Sequence, residues 1–325
     1  MVFEDIAGQH SAVLSLKNSI EKGRIAHAYL FSGPDGVGKS IAASIFANTL
    51  NCREKGVNPC GHCPSCIKAQ DKNHPDIIHV KKLGGSISIN DIRELQANIQ
   101  KKPYEKGIKV FIIYEADKMT EEAQNALLKT LEEPPGHAVI ILLAEKQHTL
   151  LTTIASRCQI FKFSRASQRD VELFLKKQCV DEKEIRYIAA LSNGIIGRAL
   201  EIIQDNRGKK DRDEIIEIIR KLFKNDTFYV LSKVDYFLNN KDNIEYILDV
   251  MISWYRDILI YKETKDESFL INLDKEDIII DESSKLTSAN INKIINSIKD
   301  TLKNIKANAN FQLSIETMLL NIQEG

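Results

Sequence analysis

The sequence predicts an α/β domain with a parallel five-stranded sheet, followed by all-helical segments. The strand candidates are short apolar runs rich in β-branched and aromatic residues: HAYLFSG, DIIHVKK, KVFIIYEA, AVIILLAE and CQIFKF. Amphipathic segments separate them, and buried strands that alternate with helices are typical of a parallel sheet. All seven prolines lie at or before Pro135, and the next glycine after Gly208 is Gly325, so the second half is expected to be helical.

The elements of the first half follow one another in a regular order. Helices are predicted for SIAASIFANTL, INDIRELQANIQ and EEAQNALLKTLEE, each between two strand candidates. This pattern gives an α/β domain over residues 1–165. Short helices, among them QRDVELFLKKQ and EKEIRYIAAL, follow over 166–206, and a helical domain is expected over 207–325.

The last segment is expected to pack through apolar helix faces. The stretch DEIIEIIRKLF has apolar residues at helical spacing, namely Ile215, Ile218, Ile219 and Leu222. The stretch NIEYILDVMISWYRDILIY is apolar nearly all round and is expected to be a buried helix. Its aromatic residues Trp254 and Tyr255 are therefore interpreted as core residues.

The composition indicates an ordinary globular chain without strong charge. Of the 325 residues, 43% are hydrophobic and 28% are charged, and the formal net charge is zero. A balanced charge excludes a chain that binds nucleic acid along its whole surface, although a local basic face stays open. No signal-peptide pattern and no apolar run of transmembrane length are found, so a cytoplasmic location is expected.

The stretch GPDGVGKS matches the phosphate-binding pattern G-x-x-x-x-G-K-[ST] between a strand and a helix, the context this motif requires. The expected ligand residues are Gly33, Gly36, Val37, Gly38, Lys39 and Ser40. Backbone N–H groups and the helix dipole favour phosphate oxygens there. Lys39 is expected to reach the β- and γ-phosphates and Ser40 to hold Mg²⁺. The alternative is a glycine-rich turn without a ligand; the context favours binding of ATP or ADP.

The third strand candidate ends in Tyr114-Glu115, the position that decides hydrolysis. A carboxylate at such a strand end organises Mg²⁺, and a second one orients the attacking water. Tyr114 stands at the metal-organising position and has no anionic oxygen at neutral pH. Glu115 is left either to orient water or to face solvent, and Asp117 is expected to cap the next helix. These residues predict nucleotide binding without efficient hydrolysis.

Four of the six cysteines are clustered with the spacing C-x7-C-x2-C-x2-C. They are Cys52, Cys60, Cys63 and Cys66. Four thiolates at this spacing fit a closed, structural Zn²⁺ site better than a set of free thiols. His62 lies within the loop and is expected to face solvent. The loop has few basic residues and no aromatic residue for base stacking. It is therefore interpreted as a structural metal site that stabilises the first domain, not as a nucleic-acid contact.

Several strings together resemble the clamp-loader branch of the AAA+ ATPases. They are FEDIAGQHSAVLSLKNSIEKGRIAHAYLFSGPDGVGKS, the cysteine cluster that follows it, ISINDIRELQ, ADKMTEEAQNALLKTLEEPP and TIASRC. The resemblance is dense from Val2 to Phe163, weakens around SNGIIGRAL, and returns faintly in WYRDILIY and NANFQLSIETMLL. The strings NALLKTLEEPP and SRC are specific to clamp loaders, whereas the phosphate loop occurs in many NTPases.

The resemblance implies an AAA+ P-loop domain (1–165) with a zinc module at 51–67, a helical lid (166–206) and an all-α collar (207–325). It also implies a five-subunit ring with motor and delta subunits, which loads a sliding clamp onto primed DNA in replication. In this family the arginine of SRC, here Arg157, acts in trans on a neighbouring motor subunit. Without the resemblance, Arg157 would be interpreted as part of a surface salt bridge.

Within the family, the sequence favours a stator over an ATP-hydrolysing motor, which is the alternative. Motor subunits resemble this chain but have Asp-Glu at Tyr114-Glu115, and they are typically longer. Their phosphate-sensing G-x-x-R pattern places Gly197 at the arginine position, so Arg198 is not expected to touch phosphate. A stand-alone zinc protein that binds DNA is disfavoured by the balanced charge. No polymerase active site is found, so a nucleotidyltransferase label would belong to the complex.

Overall fold

The computed structural model describes residues 1–82, 85–105, 107–204, 207–222 and 226–324. These residues form two compact units. The first comprises Met1–Val171 and Gly194–Gly197, and the second comprises Glu172–Asn193 and Arg198–Gly325. The predicted boundary at residue 206 lies outside the described residues.

The first unit is built on a sheet of five parallel strands in the order β2-β3-β4-β1-β5. The strands are β1 (Ala28–Ser32), β2 (Ile77–Val80), β3 (Lys109–Ile113), β4 (Ala138–Ala144) and β5 (Gln159–Lys162). Strands β1, β3 and β4 are buried along their whole length. The predicted α/β fold with a parallel five-stranded sheet is confirmed.

Helices cover both faces of this sheet. They are α1 (His10–Glu21), α2 (Lys39–Asn51), α3 (Pro64–Gln70), α4 (Ile89–Ile99), α5 (Glu121–Glu132) and α6 (Thr152–Ala155). Side chains of a strand alternate between the faces, and β1 shows the consequence. Tyr29 and Phe31 pack in one core with Phe46 of α2, whereas Leu30 joins the opposite core with Leu127 of α5.

The start of α5 differs from the expectation that Asp117 caps it. The N-cap is Thr120, whose hydroxyl accepts a hydrogen bond of 3.2 Å from the backbone N–H of Ala123. Asp117 lies in a separate 3₁₀ turn, and its Oδ1 accepts from the backbone N–H of Glu145 at 3.3 Å. The expectation was wrong because a cap must directly precede the first helical residue, and this turn intervenes.

Three helices lie in the segment after the sheet. They are α7 (Gln168–Lys177), α8 (Glu182–Leu191) and α9 (Ile196–Gln204). Helices α7 and α9 each begin with residues of the first unit and continue with residues of the second.

The rest of the second unit is helical, as predicted. Its helices are α10 (Arg207–Leu222), α11 (Thr227–Ser232), α12 (Val234–Asn239), α13 (Ile244–Thr264), α14 (Glu276–Lys285), α15 (Ser288–Lys306) and α16 (Phe311–Glu324). The four apolar residues predicted to share a face of α10 are all buried, and so are Trp254 and Tyr255 of α13. Among the described helices, none combines the length and the apolar character needed to cross a membrane.

Candidate nucleotide and metal sites

The candidate nucleotide site lies at the carboxyl edge of the sheet. All five strands are parallel, so the segments that follow β1, β3 and β4 leave the same edge. The phosphate loop follows β1, and Tyr114-Glu115 follows β3, with β4 between these two strands. Ligands of open α/β sheets bind outside this edge.

The phosphate loop has a backbone that requires glycine at three positions, Gly33 (φ +150°), Gly36 and Gly38. Gly36 has φ +77° and Gly38 has φ +103°, which lie in the region that L-residues avoid. A Cβ on Gly36 would also lie 2.7 Å from Cγ2 of Ile195. Helix α2 starts directly afterwards at Lys39, so the unpaired N–H groups of its first turn face the loop.

Lys39 is the buried cation of this loop, with 7% of its side chain exposed. Its Nζ donates to the carbonyl oxygen of Gly33, to that of Pro34 at 2.9 Å, and to Oδ1 of Asp35 at 3.0 Å. Asp35 itself is 77% exposed. The ammonium group is thus held beside the loop, in reach of any anion that the N–H groups attract.

Gly197 contacts the phosphate loop directly, which the sequence analysis did not anticipate. Its backbone N–H donates to the carbonyl oxygen of Gly36 at 2.8 Å. A Cβ on Gly197 would lie 2.9 Å from Cα of Gly36. The residue at the position of the motor subunits' arginine is therefore packed against the loop by its backbone.

Tyr114 is half-buried at the end of β3. Its hydroxyl lies 2.9 Å from Nδ1 of His79 on the neighbouring strand β2. Burial raises the pKa of Tyr114 above its usual value and lowers the pKa of His79. Both side chains are consequently neutral at neutral pH, so neither Tyr114 nor His79 offers an anion to a metal ion.

Glu115 is placed beside the same edge but is paired on the surface. It adopts φ +49°, and its Oε1 accepts a hydrogen bond from Nζ of Lys118 at 2.8 Å. This bond, followed by the charges of Glu115, Asp117 and Asp35, raises the pKa of Lys118. The side chain is 42% exposed, and both roles left open for Glu115 stay predictions.

The four clustered cysteines are brought together as the spacing predicted. Their Sγ atoms all lie within 4.8 Å of one another, and those of Cys60 and Cys66 are 3.9 Å apart. A tetrahedral Zn²⁺ with Zn–S bonds near 2.3 Å separates its sulfur ligands by about 3.8 Å. The donor set and its spacing therefore fit Zn²⁺ with no open coordination position.

Backbone N–H groups donate to three of these sulfurs, but only the pKa of Cys63 is lowered, whereas burial raises the pKa of Cys52 and of Cys66. Cys60, Cys63 and Cys66 donate in turn to the Sγ of Cys52, Cys60 and Cys63, each at 3.4 Å. Burial opposes ionisation of Cys63, but the backbone donors Arg53 and Cys66 outweigh it and lower its pKa to about 6.

His62 faces solvent, as expected. Its side chain is 71% exposed, and its Nε2 lies 2.6 Å from Oε1 of Glu54. A ring nitrogen of His62 lies within 4.8 Å of Sγ of Cys60 and of a carboxylate oxygen of Glu54, beside the set of four sulfurs.

Arg157 lies between α6 and β5 and is partly exposed (35%). Its guanidinium donates to the carbonyl oxygen of Thr153 at 2.9 Å and to Oε1 of Glu132, the last residue of α5, at 2.8 Å. The next residue, Cys158, packs against the core and so anchors the backbone. The guanidinium is thereby held at the surface of the first unit.

Comparisons with known proteins assign the chain to a family. Residues 8–167 match the family described as "DNA polymerase III, delta subunit", and residues 207–324 match "DNA polymerase III, delta subunit, C terminal". The chain is 33% identical to the DNA polymerase III subunit delta' of Bacillus subtilis, over 95% of this chain and 94% of that protein. The chain belongs to the delta-prime/gamma/tau family of DNA polymerase III subunits.

A further relative and one solved structure are similar to this chain over less sequence or at lower identity. The tau subunit of Bacillus subtilis is 30% identical over 80% of this chain, which spans 50% of that protein. A gamma subunit-related protein of Thermotoga maritima has a solved structure with 19% identity and a TM-score of 0.47, covering 97% of this chain and 99% of that one.

Some residues of this delta-prime/gamma/tau chain were missed or left undecided by sequence reasoning. His79 lies two residues from the start of β2 and shares a face with Ile77, so only the strand register could have linked it to Tyr114. No local signal connects Glu132 with Arg157. Arg198, which was not expected to touch phosphate, is hydrogen-bonded to Asp249 at 2.9 Å.

Proposed function

We propose that this chain is a delta-prime-type subunit of the DNA polymerase III clamp loader, a stator that binds nucleotide but hydrolyses it poorly. Its partners are motor subunits of the gamma/tau type and a delta subunit in a hetero-pentameric ring. The ring loads the sliding clamp onto primed DNA. Similarity over 95% of the chain to a delta' subunit supports this choice over the tau-like alternative, which is similar over 80%.

The proposal that this chain hydrolyses ATP only weakly rests on Tyr114. Its phenol is hydrogen-bonded to His79, and burial raises its pKa, so it supplies no negative charge at neutral pH. The Mg²⁺ and water of an ATPase site need a carboxylate at this strand end. Ser40 would still offer its hydroxyl to Mg²⁺, while the carboxylate of Glu115 is paired with Lys118.

Lys39 and the N–H groups from Gly36 to Ser40 support nucleotide binding itself. The loop glycines adopt the backbone that the motif needs, and the buried ammonium lies beside them. ATP or ADP would be held through its β-phosphate, with its charge met by Lys39 and the helix dipole.

Arg157 is proposed as the arginine that acts in trans on a motor subunit. Its present partner is Glu132, which is half-exposed at 51%. An arginine that leaves an exposed carboxylate for a phosphate loses little, because exposed ion pairs contribute only about 0–1 kcal/mol. The planar guanidinium suits bidentate contact with phosphoryl oxygens.

Cys52, Cys60, Cys63 and Cys66 are proposed to hold a structural Zn²⁺. The ion would join the end of α2, which finishes at Asn51, to the start of α3 at Pro64. A bound ion of this kind stabilises the fold and takes no part in phosphate chemistry.

Binding of ATP and ADP to the purified full chain tests the nucleotide part of this proposal. Titration calorimetry is expected to show binding, and Lys39→Ala to weaken it by about 10-fold or more, since a charge-assisted contact contributes about 1.5–3 kcal/mol. Circular dichroism checks that the variant is folded. Absence of any binding to the unchanged chain would contradict a nucleotide site.

The second candidate function is that of a tau-like, ATP-hydrolysing motor subunit. The position of Glu115 is the observation that favours it. Its carboxylate lies next to the metal-organising position and could orient water if a carboxylate were restored there. Tyr114→Asp therefore separates the two functions. Turnover that rises in this variant indicates a site that lacks only the metal ligand, whereas turnover already present in the unchanged chain indicates a motor.

A further inference from the structure

Asp35 lies at the tip of the phosphate loop and places a carboxylate against Lys39, the lysine that is proposed to bind phosphate. Its Oδ1 lies 3.0 Å from Nζ of Lys39. The side chain is 77% exposed, so it lies at the open side of the loop. No role for this residue follows from phosphate binding itself, which needs cations and N–H donors.

The ammonium group of Lys39 has no donor to spare. A lysine has three N–H groups, and Nζ has three acceptors here: the carbonyl oxygens of Gly33 and Pro34 and the carboxylate of Asp35. An incoming phosphate oxygen must displace one of the three. If it displaces Asp35, the carboxylate remains beside the phosphate; if it displaces a carbonyl, the carboxylate keeps part of the positive charge.

A second cation that Asp35 influences, Lys118, is already hydrogen-bonded to Glu115 at 2.8 Å. The negative charges of Glu115, Asp117 and Asp35 all raise the pKa of Lys118. Three carboxylates therefore lie near the ammonium group of Lys118. Tyr114 supplies no carboxylate that would hold Mg²⁺ and thereby screen the phosphates. A terminal γ-phosphoryl group adds negative charge at the end of the nucleotide that Lys39 reaches.

We infer that Asp35 makes the site selective for a nucleoside diphosphate over a triphosphate, an inference that rests on the nucleotide binding proposed above. The β-phosphate of a diphosphate binds mainly to the backbone N–H groups of the loop, and Lys39 contributes only part of its binding. The γ-phosphate of a triphosphate approaches both Lys39 and the carboxylate of Asp35, and like charges repel at this distance. The ligand that this chain retains is therefore ADP.

Competitive equilibrium titrations of the full chain with ATP and ADP test this inference, with the ratio of their dissociation constants as the readout. The unchanged chain is expected to bind ADP more tightly. Asp35→Asn, which keeps the size of the side chain, is expected to tighten ATP more than ADP and to shift the ratio by about 1.4- to 5-fold, the range for an exposed charge. The shift should shrink from low to high salt.

Asp71→Asn is the matched control, because Asp71 is an exposed carboxylate that follows α3 and is remote in sequence from the loop. It should leave the ratio unchanged. Binding of ATP that appears only in Asp35→Asn would also support the inference.

An unchanged or increased preference for ADP in Asp35→Asn would overturn the inference and leave the proposed nucleotide site intact, provided that the unchanged chain binds. If neither the unchanged chain nor Asp35→Asn binds either nucleotide, both proposals fail. The two failures are thus distinguishable.

Discussion

The hydroxyl of Tyr114 lies 2.9 Å from Nδ1 of His79, and the two rings are 5.9 Å apart between centroids. His79 is the penultimate residue of β2, and Tyr114 directly follows the neighbouring parallel strand β3, where its backbone N–H donates to the carbonyl oxygen of Val80 at 3.0 Å. Burial favours the neutral form of each ring, raising the pKa of Tyr114 and lowering that of His79. A neutral hydrogen-bonded pair thus lies at the strand end where the proposed stator lacks a metal-organising carboxylate.

Stability of the first unit is expected to fall as the pH drops below about 6.5, the ordinary histidine pKa. The folded chain keeps His79 neutral, so the unfolded chain binds more protons in this window. The free energy of unfolding therefore decreases as pH falls. Urea unfolding at pH 7.5, 6.5 and 5.5 measures the slope, which His79→Asn should reduce.

Tyr114→Phe is the control for this pH dependence, because it removes the hydroxyl but leaves His79 buried. It should lower stability and retain the slope. Equal slopes in the unchanged chain and in His79→Asn would show that His79 does not titrate as described.

Arg157→Ala is expected to lower the ATPase rate of the assembled loader by about 10-fold or more, without changing its assembly, since an arginine finger contributes strongly to the rate. The rate is measured on the reconstituted complex with clamp and primed DNA, and assembly by size-exclusion chromatography. Arg165→Ala removes another exposed arginine of the same unit and should change neither. Normal turnover of the Arg157→Ala complex would refute a role in trans.

Loss of the metal is expected to destabilise the first unit by about 2 kcal/mol or more, since a structural Zn²⁺ contributes to folding directly. This corresponds to a melting temperature lower by about 4–8 °C. Cys66→Ser, at a fully buried ligand, should reproduce the effect of chelation. Cys179→Ser changes an exposed cysteine outside the cluster and should retain both metal and melting temperature. An unchanged melting temperature after verified loss of the metal would exclude a stabilising role for this metal site.

Gly197→Ala is expected to lower the free energy of unfolding by about 1–3 kcal/mol, the usual effect of overpacking. The new Cβ would lie 2.9 Å from Cα of Gly36 and strain the hydrogen bond that Gly197 makes to the loop. Alanine is otherwise the better helix former, so intrinsic propensity predicts the opposite sign. Gly136→Ala, where a Cβ meets no atom within 4 Å, is the matched control. Equal stability of both variants would show that this contact is not tight.

Local patterns determined what the sequence could predict. The five strands were visible because buried parallel strands are continuous β-branched runs, and the phosphate loop and cysteine cluster have fixed spacing. The Asp117 cap failed because a short turn before Thr120 gives no distinct local signal. The contacts of Tyr114 with His79 and of Gly36 with Gly197 depend on tertiary packing between distant residues, which residue spacing alone does not reveal.

The steady-state ATPase rate of the purified chain, with Mg²⁺ and primed DNA present, tests the central claim most directly. Nucleotide binding is measured on the same sample, with Lys39→Ala as the control for the site. We predict bound nucleotide with no turnover above that of Lys39→Ala. Clear turnover that disappears in Lys39→Ala would contradict the claim, because Glu115 or another carboxylate must then organise the metal despite Tyr114.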